Sequence, residues 1–301
     1  MSSLLTNSTA MTALQTLRSV SGQMATTQSR ISTGQRVATA SDNAAYWSIA
    51  TSMRADNAAL SAVSDSLGLS AATVDTEYTA LTAVVGDTTG GLTKLQALLV
   101  EAKTAGIDRT KIQADITQIQ QQMKGTASAA TFNGVNWLSA TTATPATFNL
   151  VSSFSRVGGT PTIGVITLTI SNYSLYTSTS TGILDTVSGG ASINTLTIAT
   201  LTDSVADQTT LDGYIAKVTA AINSVASAAA NLGAVKNRVS TNTDFVKTLM
   251  DSVDRGVGQL VDADMNAEST RLQALQTQQQ LGVQALSIAN QNSQSILSLF
   301  R

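Results

Sequence analysis

The sequence has 301 residues, enough for one to three domains, and its formal net charge of −2 gives no indication of binding to nucleic acid or to an anionic membrane. It contains neither cysteine nor histidine, which excludes a disulfide framework, a zinc site of the usual kind and a histidine general base.

The N-terminal segment, residues 1–41, carries three arginines and no acidic residue. Its start lacks the charged and apolar regions of a cleaved signal peptide, so composition alone favours the cytoplasm. Apolar and small side chains recur at alternating steps of four and three, which predicts a helix that packs along one stripe and ends at Gly34. The stripe consists of Ala10, Leu14, Leu17, Ser21, Met24, Gln28 and Ile31.

A longer helix is predicted after a capping position at Ser41-Asp42. The same alternation of four and three begins at Tyr46 and keeps its phase as far as Leu99. Gly90-Gly91 is the weakest point in this stretch, because glycine is a poor helix former. The pattern therefore predicts one very long helix with a possible interruption at the glycine pair.

The middle of the chain has a different composition. After a further helix expected between Asp108 and Ala130, the dipeptide Asn133-Gly134 predicts a hairpin turn. Serine, threonine and glycine then dominate as far as about Ala206. Alternating apolar and polar residues at 162–170 and at 195–198 predict short strands.

Helical periodicity returns at Asp207 and continues to Leu260, where a terminal segment of residues 261–301 begins. No charged residue lies between Arg271 and Arg301, and glutamine and asparagine fill the gap. So many amides argue against a membrane span, and a helix without charge suits packing in a crowded assembly. Its apolar stripe is Val261, Met265, Leu272, Leu275, Leu286, Ala289, Ile296 and Phe300, with interruptions at Glu268, Gln279, Gly282 and Ser293.

The order of these elements predicts a mainly α fold. Long helices at the two ends of one chain must run antiparallel if they pair, which predicts an elongated, hairpin-like rod of coiled-coil helices with a small β-rich segment at the middle of the chain. We expect three domains. They are a terminal domain of residues 1–41 and 262–301, a long-helix domain of residues 42–150 and 205–261, and a small exposed segment of residues 151–204.

Three short motifs suggest other functions but lack the required context. Ser41-Asp42-Asn43 matches one signature of penicillin-binding enzymes, but the accompanying lysine motifs are missing. Gly256-Val257-Gly258 lies in a helical context, unlike a dinucleotide-binding turn. Asp262, Asp264 and Glu268 are interpreted as capping and solvated residues at a helix start and not as a metal site.

Several segments share both their residues and their order with one protein family. Arg30–Val37, followed by Ser41–Ala45, closely resembles the N-terminal conserved region of bacterial flagellin. Tyr46-Trp47-Ser48 is most similar to flagellins of the rhizobial branch of the alphaproteobacteria. Both helical arms take part in the resemblance, which makes it specific. The other matching segments are Thr131–Gly134, Leu232–Arg238, Asp262–Ser269 and Gln284–Gln291.

The resemblance implies a structural subunit that self-assembles into the helical flagellar filament, the propeller for swimming. It therefore also implies a protein that is not an enzyme and that has no catalytic, cofactor-binding or metal-binding residues. Flagellins are exported unfolded by the flagellar secretion apparatus without a cleaved signal peptide, so the expected location is extracellular. Expected partners are copies of the chain, related flagellins, the filament cap, junction proteins and an export chaperone. A hook–filament junction protein is the alternative. A cell-surface hydrolase with coiled-coil arms is disfavoured by the lack of histidine.

In flagellins the two terminal helices form the inner tube around the central channel, and the long helices form the outer tube. The resemblance therefore implies that the apolar stripes of residues 1–41 and 262–301 are an assembly interface. We expect both segments to be disordered in the free monomer and helical in the filament. The implied inner-tube residues are Leu14, Leu17, Met24, Ile31, Leu272, Leu275, Leu286, Ile296 and Phe300.

Many flagellins carry arginines and a glutamate that an animal innate receptor binds. The segment of this chain that resembles that region keeps only part of the pattern. Lys94 keeps one cation, but Gln96 stands in place of a second arginine and Ala97 in place of the acid, followed by Leu98. The segment recognised by plants also departs from its pattern, for example at Tyr46-Trp47. We predict weak or absent activation of both receptor types.

Overall fold

The computed structural model describes residues 7–87, 90–140, 146–157, 160–187 and 191–299. Most of these residues are helical, so the prediction of a mainly α chain with a small strand-containing middle is confirmed. The described helices are α1 (Ser8–Thr33), α2 (Ala44–Val85), α3 (Gly91–Glu101), α4 (Arg109–Ala129), α5 (Val205–Val261) and α6 (Met265–Leu299), and the strands are β1 (Ser139–Ala140), β2 (Thr147–Val157), β3 (Thr160–Thr169) and β4 (Tyr176–Thr177).

The ends of α1 and α4 follow local capping chemistry. The side chain of Asn7 accepts a hydrogen bond from the amide of Ala10 and so begins α1, which ends at Gly34 with a φ of 70°. The side chain of Asp108 accepts a hydrogen bond from the amide of Thr110 and begins α4. The predicted stop at Gly34 and the predicted cap at Asp108 are both confirmed.

The cap of α2 lies one residue later than predicted. The side chain of Asn43 accepts a hydrogen bond of 3.1 Å from the amide of Tyr46, so Asn43 caps the helix. Asp42 instead accepts a hydrogen bond of 2.9 Å from the amide of Thr39 and stabilises the preceding turn. Hydrogen bonds, chiefly from the Thr39 amide, hold the pKa of Asp42 below its usual value. The prediction that Ser41-Asp42 forms the cap was therefore wrong.

The long helix is interrupted at the point that the glycine pair marked as weak. α2 ends at Val85 and α3 begins at Gly91. Gly86 and Gly91 have φ values of 68° and 72°, and a Cβ atom on Gly86 would overlap with the carbonyl oxygen of Gly90. Glycine alone fits such a tight connection without strain. The very long helix predicted as far as Leu99 is therefore two helices, divided at the weak point that the sequence indicated, and the leucines of α3 still belong to the core.

The middle segment contains two small sheets. β1 pairs with β4 in parallel, and β2 pairs with β3 in antiparallel register with an irregularity between Val151 and Ser153. β3 confirms the strand predicted over residues 162–170. The turn predicted at Asn133-Gly134 is confirmed as well, because both residues have positive φ.

Side-chain amides of α4 hold the stretch where a strand was predicted at residues 195–198. Gln120 donates hydrogen bonds to the carbonyl oxygens of Ile193 and Leu196, at 2.8 and 3.0 Å. Gln113 accepts one of 2.6 Å from the amide of Ile198. The strand prediction was wrong because these glutamines satisfy backbone groups that a neighbouring strand would otherwise pair with.

The chain forms two units, one of residues 59–249 and one of residues 1–58 with 250–301. The unit of residues 59–249 has a core of fully buried leucines from α2 and α3, together with the fully buried Trp137. The Trp137 ring lies 5.3 Å from the ring of Phe148 and 6.4 Å from that of Tyr173. This aromatic cluster joins separate parts of the middle segment to one another.

The carboxyl group of Glu77 is buried in the same unit. An oxygen of Glu77 on α2 accepts a hydrogen bond of 2.7 Å from the amide of Trp137, and its other oxygen has no hydrogen-bond partner among the described residues. Burial raises the pKa of Glu77 to about 7, against the effect of the hydrogen bonds from Trp137 and Leu138. Glu77 therefore anchors the start of the middle segment. The free energy that its burial costs depends on whether the carboxyl group is protonated.

By length and composition alone, one described helix could cross a membrane. An 18-residue window of α5 has a mean hydropathy of 1.3, and 33% of it is buried. Core helices of soluble proteins have the same properties, so this observation is weak.

Candidate assembly interface

Helices α1 and α6 pack against each other in the unit that contains both chain ends. Three contacts define their relative direction. Asn7 donates a hydrogen bond of 3.0 Å to the carbonyl oxygen of Ala289, and Arg30 pairs with Glu268 at 3.0 Å. Between these contacts the side chain of Leu17 lies directly over Gly282. Low numbers on α1 meet high numbers on α6, so the two helices are antiparallel, as predicted.

The described members of the predicted interface lie on or beside this contact, and most are incompletely covered. On α1, Leu17, Met24 and Ile31 are half-buried and Leu14 is 39% exposed. On α6, Leu275 is only 4% exposed, whereas Leu272 and Leu286 are half-buried. Ile296 lies in α6, but its side chain is not among the described ones, and Phe300 lies outside the described residues.

Three of the positions interpreted as interruptions, Glu268, Gln279 and Gly282, are at least partly covered, and for two of them the contact is defined. Glu268 is buried by its ion pair with Arg30. Gly282 faces Leu17, since a Cβ atom there would lie 3.4 Å from the leucine side chain, at van der Waals contact. The interpretation of these two as breaks was therefore wrong. The covered positions of α6 alternate by four and three through Glu268, Leu272, Leu275, Gln279, Gly282, Leu286 and Ala289.

A small junction, which sequence reasoning missed, fixes where α1 and α6 meet. The amides of Arg36 and Val37 donate to the carbonyl oxygen of Val261, at 2.6 and 3.2 Å, and the amide of Ala263 donates to Gly34. Val37 and Val261 belong to a buried apolar cluster with Ala50 and Val257. The only sequence signal was a pair of valines, one in the connection after α1 and one at the end of α5. Asp264 caps α6 through the amides of Asn266 and Ala267, as interpreted.

The pair leaves large apolar side chains uncovered on its outer surface. Met11 is 65% exposed and Ile288 is 60% exposed, and Leu281 and Val283 are each more than half exposed. The surrounding residues of α6 after Arg271 are mainly amides and small side chains without charge. Such a surface is typical of a protein interface and not of a helix in contact with water alone.

The segment compared with the receptor-binding region lies on α3. Lys94 and Gln96 are half-buried, and Gln96 donates a hydrogen bond of 2.9 Å to the Thr219 hydroxyl. Ala97 is exposed, whereas Leu98 is buried. Of these residues, Leu98 therefore belongs to the core of its unit.

Comparison with known proteins identifies the family. Residues 4–143 match the family model of the bacterial flagellin N-terminal helical region, and residues 215–300 match that of the C-terminal helical region. Flagellin C of Rhizobium meliloti (strain 1021) is 43% identical to this chain, and a flagellin of Brucella melitensis biotype 1 is 44% identical, over the full length of both chains in each case. Flagellin A of the same Rhizobium strain is 40% identical, again over the full length. The chain therefore belongs to the bacterial flagellin family.

Proposed function

We propose that this chain is the structural subunit that self-assembles into the helical filament of the bacterial flagellum. The observation that carries the proposal is the incomplete burial of the α1–α6 pair, whose outer surface exposes large apolar side chains such as Met11 and Ile288. Membership of the flagellin family identifies the kind of assembly, since the matched regions include both helices of this pair.

The chemistry of this surface favours contact between copies. Burial of apolar side chains contributes roughly 25 cal/mol for each Å² removed from water. Charged groups would oppose the contact, because each must lose its hydration unless it finds a partner. Between Arg271 and Arg301 α6 has no charged residue, and its many amides can donate and accept hydrogen bonds across a helical contact.

The proposal extends to the domains of the chain. Residues 1–41 with 262–301 form the inner-tube domain, residues 42–150 with 205–261 form the outer-tube domain, and residues 151–204 face the outside. The inner-tube contacts use the stripe residues named above, from Leu14 on α1 to Phe300 at the C-terminal end. The antiparallel pairing of α1 and α6 supports this division, because it presents both stripes together.

Export and partners follow from the same proposal. The filament lies outside the cell, and we propose that the subunit leaves the cell through the flagellar secretion apparatus without a cleaved signal peptide. Its further partners are an export chaperone, the filament cap, junction proteins and related flagellins in a mixed filament. The lack of cysteine supports export, because such a chain reaches the outside without forming disulfides.

Substitution of an exposed apolar residue tests the proposal without disturbing the fold of the single chain. Ile288→Asp places a charge on the outer surface of α6 and should abolish polymerisation of purified subunits, measured by sedimentation and electron microscopy. Val205→Asp is the matched control, because Val205 is 85% exposed at the start of α5 and near the middle segment. Polymers from the Ile288 variant as abundant as those from the control would contradict the proposal.

No specific observation favours the hook–filament junction protein. The two functions predict different amounts of protein, since a junction protein is present in a few copies and a filament subunit dominates. Quantification of the chain in sheared extracellular material distinguishes them.

A further inference from the structure

The turn at Asn133-Gly134 exposes a chemically reactive pair of residues. Both residues are exposed, with φ values of 49° and 77°. Phe132 and Val135 close the turn through two mutual backbone hydrogen bonds, each of 2.9 Å. The turn therefore presents the Asn133 side chain to water at the tip of a very short bridge.

Neither reacting group of this pair is held by a hydrogen bond. Within the part of the chain that the structure describes, the Asn133 carboxamide and the Gly134 amide make none. The sequence contains no other asparagine followed by glycine. Because glycine has no Cβ atom, its backbone nitrogen can approach the preceding carboxamide with the least steric hindrance.

We propose that Asn133 is a site of spontaneous deamidation. The backbone nitrogen of Gly134 attacks Cγ of Asn133, which forms a new C–N bond, breaks the Cγ–Nδ2 bond and releases ammonia. The product is a cyclic imide. Water then opens the imide at either carbonyl group and leaves aspartate or isoaspartate at position 133. The reaction needs only water and adds one negative charge to the turn.

Isoaspartate has a larger structural effect than aspartate. It inserts an additional methylene group into the backbone, so the two hydrogen bonds between Phe132 and Val135 cannot both be kept. The next residues hold the middle segment in place, because Asn136 donates to the carbonyl oxygen of Ala127 at 2.8 Å and the amide of Trp137 donates to Glu77. Modification should therefore reduce amide protection at Trp137.

An internal comparison is available in α5. Asn223 is also exposed and is followed by a serine, but the amide of Ser224 belongs to the hydrogen-bonded helix. An Asn-Ser pair in this setting must unfold locally before its nitrogen can attack. Asn223 should therefore convert far more slowly than Asn133, although both side chains are exposed.

Incubation of the full-length native chain at mildly alkaline pH tests the proposal. Peptide mapping by mass spectrometry and labelling by an isoaspartyl methyltransferase should locate isoaspartate first at position 133, and Asn133→Gln should remove most of the label whereas Asn223→Gln should not. The proposal would be overturned if Asn133 stays intact while another asparagine converts. It would also be overturned if Asn133 converts in urea but not in the native chain.

Discussion

The terminal helices and the helices of residues 59–249 differ in how much of their apolar stripes one chain can bury. α1 has 26 residues and buries only Val20 and Thr27, whereas α3 has 11 residues and buries Gly91, Leu92, Leu95, Leu98 and Leu99. Both helices carry a regular stripe in the sequence. A single chain therefore buries most of the α3 stripe but leaves the α1 stripe incompletely buried, which agrees with the proposed assembly interface.

The energetic consequence follows from the cost of ordering the backbone. Each ordered residue costs roughly 1–2 kcal/mol of conformational entropy, which burial must offset. Buried leucines and Trp137 offset that cost in the unit of residues 59–249. In the terminal pair, the proposed contacts with other copies would supply the burial that the single chain lacks.

The largest expected effect is the loss of the polymer when a charge enters the terminal interface. Leu17→Asp or Leu275→Asp should block filament growth, because the carboxylate would be buried without a partner. The helical core of residues 59–249 should survive in both variants. Circular dichroism checks the core and electron microscopy checks the filaments. Normal filaments from either variant would argue against the inner-tube assignment.

Truncation of one leucine in each region should affect the monomer very differently. Leu99 is fully buried, so Leu99→Ala should lower the free energy of unfolding of the monomer by about 2–5 kcal/mol. Leu14 is 39% exposed, so Leu14→Ala should change it by less than about 0.5 kcal/mol. Urea denaturation of dilute monomer measures both values. Equal losses would show that the monomer already uses the α1 stripe for its stability.

The buried carboxyl group of Glu77 should make the stability of the long-helix unit depend on pH. Its pKa is raised from 4.5 to about 7. Its contribution to the free energy of unfolding is therefore present in full below pH 4.5 and is lost as the pH rises through 7. A shift of this size corresponds to on the order of 3 kcal/mol. Glu77→Gln should remove this dependence in urea denaturation at a series of pH values.

Glu101→Gln is the control for that experiment, because Glu101 is exposed on α3. The free energy of unfolding of the unmodified chain should fall increasingly below that of the Glu77→Gln variant as the pH rises. If this difference in free energy stays constant with pH, or if the Glu101→Gln control shows the same change, Glu77 is excluded as the source of the pH dependence.

The smallest expected effect is on host receptors. The segment around Lys94, Gln96 and Ala97 has lost charges that such a receptor grips in many flagellins, so purified monomer should activate reporter cells and plant leaf tissue weakly or not at all. A response at a nanomolar dose in either assay would contradict that half of the prediction.

The sequence predicted helices well wherever an apolar stripe ran for several turns, because a helix repeats every 3.6 residues and the stripe reports that period directly. It failed where a single contact across the chain decided the outcome. In the sequence, Glu268 and Gly282 both resemble breaks in a stripe. In the structure Glu268 pairs with Arg30, and Gly282 faces the side chain of Leu17. Neither neighbour can be inferred from periodicity within one helix.

The middle segment shows the same limit. Residues 195–198 alternate like a strand, but Gln113 and Gln120 satisfy the backbone there, and nothing in the local pattern of α4 marks those two glutamines as different from its others. The break between α2 and α3 was easier to foresee, because the glycines carry a conformational signal of their own.

Amide hydrogen exchange of α1 and α6, compared between dilute monomer and assembled polymer, is the most direct measurement. We expect both helices to exchange rapidly in the monomer and slowly in the polymer, while the core of residues 59–249 stays protected in both states. Uniform protection of α1 and α6 in the dilute monomer would contradict the conclusion that other copies complete this interface.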